Sequence, residues 1–227
     1  VPEDHAIAEA GDDGIDAHAV VIACDENLNV ARELGFGTVE RDNLQLGRRW
    51  NDGYQLAWRE YVDYVVPIGS DDWLDPVWIT RDGLPAANEI RCMTRLAMVD
   101  ETGQRMRRMQ IAYPGGAGVR IIPTRLLDRV SGRPCVEDRN RAIDATTLRR
   151  LQLANDPIAL TYTDVHPYQL IDWKTPGEQL NPFGSCERYA TDLDADDPFE
   201  TLAALGVFPH VALEQMRGVY HRMEVTA

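Results

Sequence analysis

Two adjacent carboxylates, Asp71 and Asp72, close the apolar run in DYVVPIGSDDWLDP, residues 63 to 76. Like charges set side by side repel each other and resist burial. Such a pair suits a hard divalent cation, Mg2+ or Mn2+, which takes oxygen ligands and commonly keeps waters and phosphate oxygens. The plainer reading is that Ser70 and the aspartates cap the turn or helix that follows, since both residue types are favoured there. Capping accounts for one aspartate better than for two. A second segment, VERDNLQLGRRWNDG at 39 to 53, sets Asn43, Gly47, Asn51 and Gly53 between a short strand and a helix. Asparagine and glycine at the start of a helix expose backbone N–H groups and permit close approach of a ligand. Arg48 and Arg49 add charge where a phosphate or a base edge could sit. By itself this pattern is also ordinary turn chemistry.

The elements that must position these residues follow from periodicity. HAVVIAC at 18 to 24 is a short β-branched run suited to a strand buried on both faces. DENLNVARELG then sets Leu28, Ala31 and Leu34 on one helical stripe, which Gly35 ends. GTVE at 37 to 40 reads as a second strand. GRRWNDGYQLAWREYV carries Trp50, Tyr54, Ala57 and Tyr61 at helical spacing and leads into the strand YVVPIG. The order β-α-β-α-β predicts a mostly parallel sheet covered by helices. Beyond the SDDW segment, IRCMTRLAMVD, the turn ETG and RMRRMQIAY read as a hairpin. IIPTRLLDRV and IDATTLRRLQL read as helices, residues from about 176 as loop-rich, and 198 to 219 as an amphipathic tail. No internal repeat or low-complexity segment is visible. The expected organisation is a main α/β domain over 1–175, with a loop-rich and helical extension over 176–227 packed on it.

Composition bounds the function. The 227 residues are 44% hydrophobic and 26% charged, enough for one substantial core in a soluble globular chain. A net charge of -14 argues against bulk electrostatic binding of nucleic acid or anionic membrane, whose footprint is a basic patch. A small anionic ligand remains compatible if a metal ion or a few arginines neutralise it locally. Cys24, Cys92, Cys135 and Cys186 are widely spaced and form no C-x-x-C, which fits a reduced, cytoplasmic setting. No apolar run has the length of a membrane span, and no signal peptide is visible. The first residue is Val1, so a trimmed N-terminus is expected. There is no P-loop, no H-E-x-x-H and no G-x-S-x-G. His5, His18, His166, His210 and His221 lack zinc-site spacing.

Taken together, the N-L-Q-L-G-R-R-W-N-D-G segment and GSDDW about twenty residues later resemble the nucleotide-sugar-binding half of GT-A fold glycosyltransferases, specifically the large family 2 type. The resemblance runs from about residue 18 to 175. It implies a GT-A-like α/β fold with a mostly parallel central sheet flanked by helices. Only VPEDHAIAEAGDDGIDA precedes the acidic strand VVIACDE, so the family's first strand and helix are expected to be missing. Small proteins with similar segments occur in bacteriophage genomes, which makes a phage or bacterial source, and then the host cytoplasm, an expectation. The implied activity is transfer of a sugar from a nucleoside-diphosphate donor to a hydroxyl acceptor, inverting and dependent on Mn2+ or Mg2+. A nucleotidyltransferase of the same fold and a catalytically silent sugar-binding or virion-associated module are the alternatives.

The resemblance also implies roles residue by residue. Asp25, with Glu26 beside it, would contact the base or ribose, and Asn43, Gly47, Arg48, Arg49 and Asn51 would line the nucleotide-sugar site. Many family members have arginine just before the second asparagine; here that position is Trp50 and the arginines stand at 48 and 49. Ser70, Asp71 and Asp72 match the DXD-type segment, with Asp72 and Asp71 on the metal. His166 in DVHPYQ could complete the metal shell or touch the diphosphate, although a lone loop histidine is more often incidental. Lys174 in DWKTPGEQL could neutralise the leaving diphosphate from a mobile loop, and a solvated lysine is the plainer reading. GAGVRIIPTRLL resembles the acceptor side, and RAIDATTLRRL resembles the segment with the catalytic carboxylate, which makes Asp144 the base. Ile143 stands where that carboxylate usually has an acidic neighbour. The plainer reading of Asp144 is a helix N-cap, with Thr146 and Thr147 in the first turn, and Glu137 and Asp138 are nearby alternatives for the base.

Overall fold

In the computed structural model the residues described are 15–23, 26–33, 35–41, 45–69, 72–100, 102–110, 119–140, 142–163, 169–174, 183, 197–206, 213–214 and 217. The fold is α/β with mixed sheets, and it divides into two compact units. One comprises Val1–Pro67, Asp82–Arg91 and Arg120–Thr161; the other comprises Ile68–Arg81, Cys92–Val119 and Tyr162–Ala227.

The first unit opens with strand β1 (Val20–Ala23), helix α1 (Glu26–Glu33), strand β2 (Gly37–Glu40) and helix α2 (Leu46–Arg59). β1 and β2 pair in parallel, as the β-α step predicts, and α1 buries Leu28 and Ala31 from its apolar stripe. Gly35, at φ +80°, supplies the left-handed turn back into β2. The buried line of α2 is Gly47, Asn51 and Tyr54. Tyr61, expected on that stripe, lies beyond the helix end at φ +57° and is almost fully exposed. A four-stranded sheet in the order β3-β8-β5-β9 follows, built from β3 (Tyr64–Val65), β5 (Glu89–Cys92), β8 (Arg120–Pro123) and β9 (Ala159–Tyr162). The expected strand YVVPIG contracts to the two residues of β3, because Pro67 lacks the N–H that a longer ladder needs. A 3-10 helix, Thr124–Val130, and α4 (Ile143–Ala154) complete the unit and bury Leu126, Leu127, Ile143, Leu148 and Leu151.

The second unit is built on a sheet in the order β4-β10-β6-β7, with β4 (Asp72–Leu74), β6 (Arg95–Val99), β7 (Met106–Gln110) and β10 (Leu170–Trp173). β6 and β7 form the expected hairpin. Its turn is held by Asp100, whose Oδ1 accepts from the N–H groups of Gln104 and Arg105 at 3.0 and 3.1 Å. Beyond β4 lies a short helix, α3 (Val77–Thr80), and the chain's later helix is α5 (Pro198–Leu205). Asp197 caps α5 by accepting from the Glu200 N–H at 2.9 Å, Pro198 occupies the first turn, and Gly206 at φ +63° ends it. Phe199 and Leu202 of α5 join Ala97, Val99, Met106, Ile171, Trp173 and Leu213 in one core, with Trp173 stacked on Phe199 at 5.6 Å. Burial of each such side chain contributes about 1.5–3 kcal/mol.

The expectation of a mostly parallel central sheet is corrected in one respect. β1 with β2 and β10 with β6 are parallel, whereas β4 with β10, β3 with β8 and β6 with β7 are antiparallel. In both larger sheets a late strand, β10 or β8, is inserted between two earlier ones. Among the described residues no helix is long and apolar enough to cross a membrane.

Candidate functional site

The second aspartate of the SDD segment opens β4. Its Oδ2 accepts from the Gly69 N–H at 3.0 Å while its own N–H donates to the Gly69 carbonyl at 3.2 Å, so the side chain closes a tight turn at the end of the glycine. Asp72 therefore has the turn-forming role that the plainer reading assigns it, and a carboxylate retains acceptor capacity beyond one such bond. Across the ladder its register partner is Asp172 on β10. Asp172 in turn pairs with Met98, and Met98 with Arg107. Register partners point to one face of a sheet. The intervening residues Ile171, Ala97 and Val99 belong to the core beneath α5, so Asp72, Asp172, Met98 and Arg107 form a row on the opposite face.

Lys174 shares that face, two residues beyond Asp172. It is 4% exposed, and its Nζ lies 2.5 Å from Asp172 Oδ1. Its backbone N–H donates to the Val99 carbonyl at 3.0 Å. Lys174 is thus a buried residue fixed at a strand end, in place of the mobile-loop lysine expected from DWKTPGEQL. Arg107 and Arg105, alternate residues at the start of the hairpin's second strand, both lie over the Phe183 ring, at 4.8 and 5.3 Å from its centroid. Asp172 and Arg107 were missed in the sequence. The alternation in LIDWK, apolar on one face and charged on the other, is the signal that ties Asp172 to Lys174.

The asparagine-glycine segment is organised in the first unit. Gly47 packs so tightly that an added Cβ would stand 2.0 Å from the Val136 carbonyl oxygen, and its N–H donates to the Arg139 carbonyl at 2.9 Å. The Leu46 N–H donates to Asn140 Oδ1, also at 2.9 Å. Gln45, at the N-cap, offers no side-chain bond, so the start of α2 is capped by residues from the 136–140 stretch. Asn51 is fully buried; its amide donates to the Cys135 carbonyl at 3.1 Å and accepts from the Cys135 N–H at 2.8 Å. The close approach that glycine permits and the pairing that asparagine provides are both made here to the chain itself. Gly53 behaves likewise, with Ile22 of β1 against it. Arg48 is exposed and reaches Glu137 at 3.8 Å, while Arg133 holds the same carboxylate through Nε and Nη2 at 3.0 and 2.7 Å. Arg49 is partly buried on α2.

Asp144 sits in the first turn of α4, but the N-cap is Ala142, at φ +54° and without a side-chain cap. Instead of capping, the Asp144 carboxylate lies 3.6 Å from Nη1 of Arg120, which is fully buried on β8. Around them are Cys135, whose thiol meets the Thr147 hydroxyl at 3.1 Å, and Tyr54, whose buried hydroxyl has no hydrogen-bond partner. Burial raises the Cys135 thiol to about 12, with the Thr147 bond opposing the shift. Burial also raises the Tyr54 phenol well above its usual range; Cys135 and Asp144 add to this and Arg120 opposes it.

Asp72 and Lys174 therefore share one sheet face of the second unit. Gly47, Arg48, Asn51 and Asp144 belong to the first. Asp25, Asn43, Ser70, Asp71 and His166, and the side chain of Glu26, lie outside the described residues. Among the described residues no group of three or more His, Cys, Asp or Glu could hold a metal ion. Two carboxylates supplemented by waters and phosphate oxygens are nonetheless a donor set that Mg2+ commonly takes, so the oxygen chemistry at Asp72 and Asp172 fits a hard cation. No family model matches the chain, and no curated protein matches its sequence.

Proposed function

We propose that the chain is a GT-A-type glycosyltransferase that moves a sugar from a nucleoside-diphosphate donor to a hydroxyl acceptor, with inversion and with Mn2+ or Mg2+ as cofactor. The observation that supports this reading most is the grouping of Asp72, Asp172 and buried Lys174 on one sheet face, directly after the GSDD segment. Two carboxylates and one ammonium leave a net negative charge. A divalent cation inverts that sign, and the site then attracts a diphosphate.

Asp72 and Asp172 would hold the cation, joined by Asp71, and Lys174 would meet phosphate oxygens as a point charge. When bound, the cation supplies Lewis-acid stabilisation of the leaving diphosphate. Asp144 would accept the acceptor hydroxyl proton at a carboxylate oxygen as the new glycosidic bond forms. Gly47 and Asn51 act by holding α2 against the 135–140 stretch, and exposed Arg48 is the cation of that region that can reach a nucleotide.

The test is a thermal-shift panel of UDP, GDP, CDP, dTDP and ADP sugars with and without Mn2+. Stabilisation by one nucleotide class only when Mn2+ is present supports the proposal. Unchanged melting with every donor overturns it in favour of a silent module.

A further inference from the structure

Arg120 occupies a position where a charge is costly. All four residues of β8, Arg120 to Pro123, are buried, and Arg120 is fully so. Placing a guanidinium there costs several kcal/mol of solvation, and replacing a buried ion pair with apolar residues is often neutral or stabilising. Fold stability alone therefore does not call for arginine. Its Nη1 lies 3.6 Å from Asp144, a residue in the first turn of α4 whose side chain is 38% exposed. One member of the pair is locked in the core and the other reaches the surface. Arginine's planar fork fixes the direction of a carboxylate in a way that a flexible ammonium does not.

We infer that Arg120 is the positioning residue for Asp144: it holds the carboxylate at one orientation on the surface of the first unit, where Asp144 takes the acceptor proton. This rests on the glycosyltransferase reading above. Arg120 itself touches no substrate. A misplacement of about 1 Å at a reacting group costs on the order of 10²-fold in rate, so loss of the fork should appear in turnover and not in donor binding.

The experiment compares wild type, Arg120→Met, Arg120→Lys and Tyr54→Phe, using the nucleotide sugar and Mn2+ that stabilise the wild type. Melting temperature, donor affinity and kcat are read for each. Arg120→Met is expected to lose about 10²-fold in kcat with donor affinity within twofold of wild type, and Arg120→Lys to keep an intermediate rate. Tyr54→Phe removes an unpartnered hydroxyl from the same cluster and is expected to leave kcat unchanged. If Arg120→Met does not fold, Arg120→Lys carries the comparison. Wild-type kcat in the arginine variants overturns the inference. So does a loss of donor affinity and melting temperature in step with kcat, which is the pattern of a purely structural pair. A wild type that binds donor but transfers no sugar overturns the positioning role, whereas a wild type that binds no donor overturns the functional reading itself.

Discussion

Asp72 and Asp172 stand opposite each other as register partners on β4 and β10, although one hundred positions of numbering separate them. Replacing Asp72 with asparagine removes a charge without changing volume, and the amide oxygen can still accept from the Gly69 N–H. Asp72→Asn is therefore expected to keep its melting temperature or gain slightly, because like charges no longer face each other, and to lose Mn2+-dependent nucleotide binding. Calorimetric titration of the variant with donor and Mn2+ checks this, and wild-type affinity would remove Asp72 from the metal site.

Lys174 and Asp172 make a partly buried ion pair, so removing one charge strands the other. Lys174→Met is expected to cost about 3 kcal/mol in urea unfolding, and Lys174→Met with Asp172→Asn to recover most of that loss. Donor-induced stabilisation should stay absent in the double variant, since both ligand-facing charges are gone. A double variant that recovers donor binding along with stability would mark the pair as purely structural.

Gly47 and Asn51 should act through the fold. Gly47→Ala places a methyl group against the Val136 carbonyl and is expected to cost about 3 kcal/mol or more. Asn51→Ala leaves the buried Cys135 N–H unpaired, while the Cys135 carbonyl retains the Arg150 bond at 2.6 Å; a loss of about 2–4 kcal/mol is expected. Equilibrium unfolding reads both. A variant of normal stability that fails to bind nucleotide would return these residues to direct ligand contact.

The local elements were legible because their signals are local. Leu28 and Ala31 mark the buried face of α1, and the ETG turn gives the β6-β7 hairpin, because in both cases the partners lie within a few residues. The Asp72–Asp172 pair was not legible, since it depends on β10 entering the sheet between β4 and β6 after some seventy intervening residues have folded. Arg120 was hidden for the same reason: VRIIP carries a charge within an apolar run, but only the tertiary fold brings it to Asp144. The segment N-L-Q-L-G-R-R-W-N-D-G was recognised as special from its residue types. Those types are equally suited to a ligand and to a neighbouring backbone, and the structure supplies backbone partners.

The buried thiol makes stability pH dependent. With a folded value of about 12 against an ordinary 9.0, Cys135 holds its proton in the native state over a range where the unfolded chain releases it. The unfolded state then binds fewer protons, so stability is intact below pH 9 and falls as pH rises towards 12, with Tyr54 adding to the fall at the upper end. Urea unfolding at pH 8, 9 and 10 should show this decline, and a shallower one in Cys135→Ala. Identical slopes in the two proteins would mean that the thiol is not buried in solution.

The most direct measurement identifies the released product. Wild type, incubated with its stabilising nucleotide sugar, Mn2+ and a mixture of hydroxyl acceptors, is predicted to release a nucleoside diphosphate. EDTA should abolish the release, and Asp144→Asn should reduce it by about 10²–10⁴-fold without loss of donor affinity. Release of pyrophosphate in place of nucleoside diphosphate, or full activity in Asp144→Asn and in EDTA, would contradict the account.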